Sequence, residues 1–157
     1  MKSLEPVVIS GKECLPIIEG GKGIAISTGE SSGAWAKAGG VGTFSGVNAD
    51  SFDDHGNRID QIYKGNTRTQ RHNELINFAI DGAVTQASIS REIAGKDAVL
   101  HMNILWEMAA AEKILEETLI RAGNLIDGVT CGAGMPYKLS EIAAKHGVFY
   151  YPKVSSA

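Results

Sequence analysis

Residues 98–131 read AVLHMNILWEMAAAEKILEETLIRAGNLIDGVTC, and this stretch decides the fold. It opens on a short apolar run, 98–105, broken only by His101 and Asn103. A run of that length, rich in aliphatic residues, predicts a buried strand. Residues 108–122 predict a helix that stops at Gly123, because glycine is the residue best able to leave a helix. A second apolar run, 125–131, predicts another strand. Strand, helix and strand in so few residues make a βαβ unit, with parallel strands and a right-handed crossover.

The same pattern extends outward in both directions. Toward the N-terminus, residues 15–18 (LPII) predict a first strand, and 31–38 a short helix that ends at Gly39-Gly40. Residues 41–47 predict a second strand. A helix over 69–93 follows, with Leu75, Ile76, Ala79, Ile80 and Ala83 at helical spacing. Between them lies a polar, turn-rich segment, 48–67. It is long for a plain connection, which suggests a functional loop or an exposed excursion. Toward the C-terminus, 136–146 predicts a helix with Pro136 at its start and Gly147 after its end, then 148–151 a fifth strand. Strands that alternate with helices argue for an α/β fold with a parallel sheet. Residues 1–14 read as an N-terminal extension and 15–157 as one domain without an internal linker.

Composition narrows the class. The chain has 157 residues, 43% of them hydrophobic and 21% charged, with a net charge of -3. That suits one globular domain and lacks the clustered Lys and Arg of a nucleic-acid surface. No run of about 18 apolar residues suggests a membrane span, and the N-terminus lacks the apolar core of a secretion signal. Two distant cysteines, Cys14 and Cys131, read as reduced thiols in a cytoplasmic protein. Glycine is abundant, 19 of 157 residues against about 7% in ordinary proteins, which suggests many tight turns.

In parallel α/β folds ligands sit at the carboxyl ends of the strands, so the residues just after each strand carry the functional information. After the first strand come Glu19-Gly20-Gly21-Lys22-Gly23, where bare backbone lets a ligand approach closely. Asn103 lies near the end of the third strand, Gly132-Ala133-Gly134 follow the fourth, and Lys153 follows the fifth. Polar groups and glycines on one rim would cradle a planar cofactor. Each turn has a plainer reading as a tight turn alone. GGKG matches neither the dinucleotide fingerprint nor the P-loop. His101 reads as a packed core histidine. His55, His72 and His146 lack the spacing of a metal site. Cys131 reads as a small buried thiol, Ser31-Ser32 as a helix cap, and Glu112, Glu116 and Glu117 as a solvated helix face.

Taken in order, PIIEGGKG, AGGVGTFSG, HMNIL, DGVTCGAGMP and GVFYYPKVSSA resemble the nitronate monooxygenase family, the 2-nitropropane dioxygenases. The resemblance runs from Leu15 to the last residue. It implies an FMN-dependent (β/α)8 TIM barrel that oxidises alkyl nitronates with molecular oxygen. By it, Ile18, Glu19, Gly20 and Gly21 would contact FMN, as would Asn103 and Lys153. Gly132, Ala133 and Gly134 would face the substrate. Family members often carry Gln where this chain has Glu19, and a carboxylate beside a flavin that takes up negative charge is electrostatically unfavourable. The chain offers about five strands and four helices of the barrel's eight units. The family's base histidine and phosphate site would lie beyond Ala157, so the resemblance reads the chain as an N-terminal fragment, inactive by itself. An open edge of such a sheet invites self-association. Two other readings stand beside this one: an enoyl-thioester reductase-like flavoprotein, and a non-catalytic flavodoxin-like binding module.

Overall fold

A computed structural model describes residues 4–53, 55–132 and 137–154. Its centre is a parallel sheet of four strands in sequential order: β3 (Val41–Ser45), β4 (Val99–Leu105), β5 (Gly128–Gly132) and β6 (Phe149–Pro152). The connecting helices are α2 (Arg68–Ala94), α3 (Ala111–Ala122) and α4 (Tyr137–Lys145), with α1 (Gly29–Lys37) preceding β3. The chain is therefore α/β, as its alternating pattern requires. The sheet is open. A closed (β/α)8 barrel is not what the described residues form.

Alternation along the strands assigns the two faces. Phe44, Met102, Ile104, Val129 and Cys131 point to one side, where they join buried residues of α2, α3 and α4 in one core. α1 packs on that side too, with the Ser32 carbonyl over Gly42. The opposite face carries two register rows, Thr43–His101–Gly128–Phe149 and Ser45–Asn103–Thr130–Tyr151. Helices that all follow right-handed crossovers in sequential strand order must share one face.

Two expectations change. Residues 7–14, expected only as part of an N-terminal extension, contain β1 (Val7–Ile9) and β2 (Lys12–Cys14), which form an antiparallel hairpin. Its two-residue turn, Ser10-Gly11, has φ of 51° and 74°, the left-handed pair that matches the twist of a hairpin. The hairpin covers the helix-free face at the start of the strands, where Cys14 and Ile9 meet Val41 and Val99. The expected first strand, 15–18, is reduced to one bridge, Ile18 to Val41. Pro16 has no N–H to give a ladder, and the chain turns off at Gly20.

Glycine use also differs from a simple excess of turns. Several glycines allow close packing between elements, and Gly82 on α2 is the tightest. A Cβ there would lie 1.7 Å from the Ala49 carbonyl oxygen, which belongs to rigid backbone. Gly82→Ala gains about 1 kcal/mol of helix propensity. The overpacking cost exceeds the usual ~1–3 kcal/mol because backbone must move. The expected net loss is more than about 2 kcal/mol, read as a lower urea midpoint at unchanged slope. An unchanged midpoint would contradict this contact.

The helix ends follow capping chemistry. Thr28 rather than Ser31 or Ser32 is the N-cap of α1: its side chain accepts from the Ser31 N–H, and Ser31 returns a bond to the Thr28 N–H. Thr67 and Gln70 form the same box at α2. The 48–67 segment is internally organised. The Asn57 side chain, then the Asn57 and His55 N–H groups, donate to Asp53 and hold its carboxyl below the usual range. No helix of the described residues is long and apolar enough to cross a membrane.

Candidate functional site

The candidate site forms at the carboxyl ends of the strands, and the turn after residue 18 builds its first wall. The free edge of β3 must find acceptors for its outward N–H groups. Val41 N–H donates to the Ile17 carbonyl, and Ser45 N–H to the Ser27 carbonyl. Between them, Thr43 N–H donates to Glu19 Oε2 at 3.1 Å. The Glu19 side chain thus takes the place of a strand carbonyl where the main chain has turned away. Its other oxygen accepts from the Ser31 hydroxyl at 3.1 Å, and the residue is only 8% exposed. Both carboxylate oxygens are engaged within the protein. This is what the glycine turn gains from its acid: it can leave the sheet without abandoning the edge of β3.

The turn then lies down on the sheet. A Cβ on Gly21 would meet Asn103 Cβ at 2.2 Å and Thr43 Cγ2 at 3.0 Å. Only a residue without a side chain fits there. Asn103 in turn accepts at Oδ1 from Thr130 Oγ1, 3.0 Å away. Its Nδ2 makes no hydrogen bond to any described residue. Ser27 fixes the turn from behind, accepting from Lys22 N–H and donating to the Gly20 carbonyl.

The structure therefore joins Gly21 to Asn103, far apart in sequence. It also sets Gly132 beside Lys153, whose Cδ would lie 3.6 Å from a Cβ on that glycine. Gly20 is exposed, with nothing within 4 Å of a Cβ built on it. Ile18 is placed elsewhere: it is 55% exposed and pairs with the first residue of β3, at the far end from Ser45. Ala133 and Gly134 lie outside the described residues. Thr130 and Ser27 were missed in the sequence. Neither belongs to a motif, and only the strand register and the turn reveal them.

At the opposite end of the strands the chemistry is structural. Asp127 Oδ1 pairs with Lys12 at 2.7 Å, and Oδ2 with Arg91 at 2.8 Å and Leu100 N–H at 2.9 Å. Burial pushes the Asp127 carboxyl up, but the bonds from Lys12, Arg91 and Leu100 outweigh it and hold it below the ordinary range. His101 is buried beside Ser10 and Tyr151, and burial pushes its pKa down to about 4. Both cysteines are buried free thiols with pKa values raised by burial. Glu112 and Glu116 form exposed ion pairs from α3 to Lys138 and Lys145 of α4. Among the described residues no group of three His, Cys, Asp or Glu side chains could hold a metal ion.

No protein-family model matches the chain, and no curated protein matches it.

Proposed function

We propose that the chain belongs to a flavin-dependent oxidoreductase that oxidises alkyl nitronates with molecular oxygen, and that its rim holds the ring side of FMN. The observation that carries this reading is the Gly21–Asn103 contact. It places bare backbone and an unengaged amide donor side by side at the carboxyl ends of parallel strands. A flat, partly apolar ring needs such a surface: backbone without Cβ atoms to lie against, and one donor to orient it. The residues fit that need. Glu19 is held at the β3 edge, with one carboxylate oxygen accepting from Thr43 N–H and the other from Ser31. FMN supplies the redox chemistry when bound. The chain's own residues orient it, with Gly20 and Gly21 as platform, Asn103 as donor and Lys153 as a cation at the same rim. We assign the proton-abstracting base to no described residue.

The sequential strand order supports a barrel-type arrangement over a flavodoxin-like one. A doubly wound sheet reverses its strand order at the ligand crevice, and β3-β4-β5-β6 contains no reversal. Titration of the purified protein into FMN should quench flavin fluorescence saturably, with oxygen uptake on addition of an alkyl nitronate by the assembled enzyme. Failure to bind FMN would overturn the reading. NAD(P)H oxidation with an enoyl thioester, without nitronate-dependent oxygen uptake, would reassign the flavoprotein as a reductase.

The open sheet supports self-association with a second copy of the chain. At one edge β6 leaves Phe149 51% exposed, and at the other Ile17 and Trp35 border an apolar groove of about 420 Å³. Sedimentation velocity should show larger species growing with concentration. A single monomeric boundary that does not change with concentration would contradict this.

A further inference from the structure

Two polar atoms on the helix-free face are buried yet make no hydrogen bond to the described residues: Thr43 Oγ1 and His101 Nδ1. Their residues are register partners on β3 and β4, each 1% exposed. A buried polar atom without a partner calls for a ligand or a water molecule.

The orientation of the His101 ring follows from its other edge. A Cβ on Gly128, its register partner on β5, would lie 2.8 Å from Nε2 and 2.9 Å from Cδ2. The Nε2–Cδ2 edge thus faces β5. The Nδ1 edge faces the other neighbour, β3, where Thr43 sits. Thr43 turns its methyl group toward Gly21.

The hairpin sets the proton inventory. Tyr151 Oη accepts from the Ser10 N–H at 3.0 Å and lies 3.0 Å from Ser10 Oγ. Ser10 Oγ lies 2.8 Å from His101 Nε2. Either hydroxyl can be the donor in the Ser10–Tyr151 pair; where Tyr151 donates to Ser10 Oγ, Ser10 is free to pass its own proton to Nε2. A neutral imidazole that accepts at Nε2 carries its hydrogen on Nδ1. Ser10 also holds a φ of 51° that favours Gly, Asn or Asp. Its hydroxyl contacts offset that strain.

We propose that Ser10 and Tyr151 lock His101 as its neutral Nδ1–H tautomer, and that this N–H and Thr43 Oγ1 together bind one buried water molecule beneath the Gly21–Asn103 contact. The water accepts from His101 and donates to Thr43, so each buried atom gains a partner. Ser10, on the hairpin, becomes a positioning residue for the layer under the rim. This inference does not depend on flavin binding.

Long-range proton–nitrogen NMR on histidine-labelled protein at neutral pH reads the tautomer without any substitution. The expected result is a protonated Nδ1 and a bare Nε2 on His101, with a water cross-peak to its Nδ1 proton. Thr43→Val should abolish the cross-peak and keep the tautomer. Ser10→Ala should populate the Nε2–H form. A dominant Nε2–H tautomer in the unsubstituted protein would overturn the proposal, as would an Nδ1 proton without a water contact.

Discussion

Asp127→Ala is expected to lower the unfolding free energy by about 3 kcal/mol, the scale of breaking a buried ion pair by removing one partner. Asp127 is 14% exposed at its side chain and ties three segments together: Lys12 of β2, Arg91 of α2 and the Leu100 N–H of β4. Its removal leaves Leu100 N–H without its acceptor and two cations without a counter-charge. Arg91 keeps its bonds to the carbonyls of Leu125, Gly95 and Ala98, which limits the loss. The pH dependence has a definite sign. The folded carboxyl titrates below its ordinary value, so its stabilisation is present above the unfolded pKa, about 4. It disappears as pH falls through the depressed folded value. Urea midpoints of the original and Asp127→Ala proteins should therefore differ at pH 7 and converge in strong acid. A difference that is absent at pH 7 would show that the network holds nothing together.

Gly21→Ala is expected to weaken FMN binding about a hundredfold, equivalent to roughly 2.7 kcal/mol. The added Cβ would sit 2.2 Å from Asn103 Cβ, an atom fixed to the strand rather than the tip of a flexible chain. The turn must lift, and the Asn103 donor and the backbone platform separate. Because Gly21→Ala also strains the folded protein, Gly20→Ala distinguishes binding from folding. Nothing lies within 4 Å of a Cβ at Gly20 in the protein itself. That methyl should leave the melting temperature unchanged and yet reduce FMN affinity if Gly20 belongs to the proposed platform. Equal FMN affinity in both variants and the original protein would remove this turn from the site.

Much of the architecture was legible in the sequence because its signals are local. Leu75, Ile76, Ala79, Ile80 and Ala83 mark α2 by spacing alone, and Gly123 and Gly147 mark helix ends. β4 and β5 begin and end within three residues of their apolar runs. The hairpin was missed because its three-residue strands carry no periodicity, although Ser10-Gly11 is a turn signal. α1 begins at Gly29 because Thr28 caps it, a choice between nearby hydroxyl residues that sequence does not decide. The rim was legible in part. Gly21 and Asn103 stood out as a bare backbone and a polar residue at strand ends, and they meet. Glu19 stands out as an acid after the first strand, but its bond to Thr43 N–H is tertiary and exists only once β3 is an edge beside a departing chain. Ser27 and Thr130 act through the same kind of contact and carry no local mark.

The most direct measurement is a proton–nitrogen NMR titration of the labelled protein with FMN. Assigned backbone amides of Gly20, Gly21, Asn103 and Gly132, together with the Asn103 side-chain amide, should shift together with one saturation curve. Amides of the β1–β2 hairpin should stay in place. Shifts confined to the hairpin end or the outer helix faces, or none at all with excess FMN, would contradict a flavin site at the carboxyl ends of the strands.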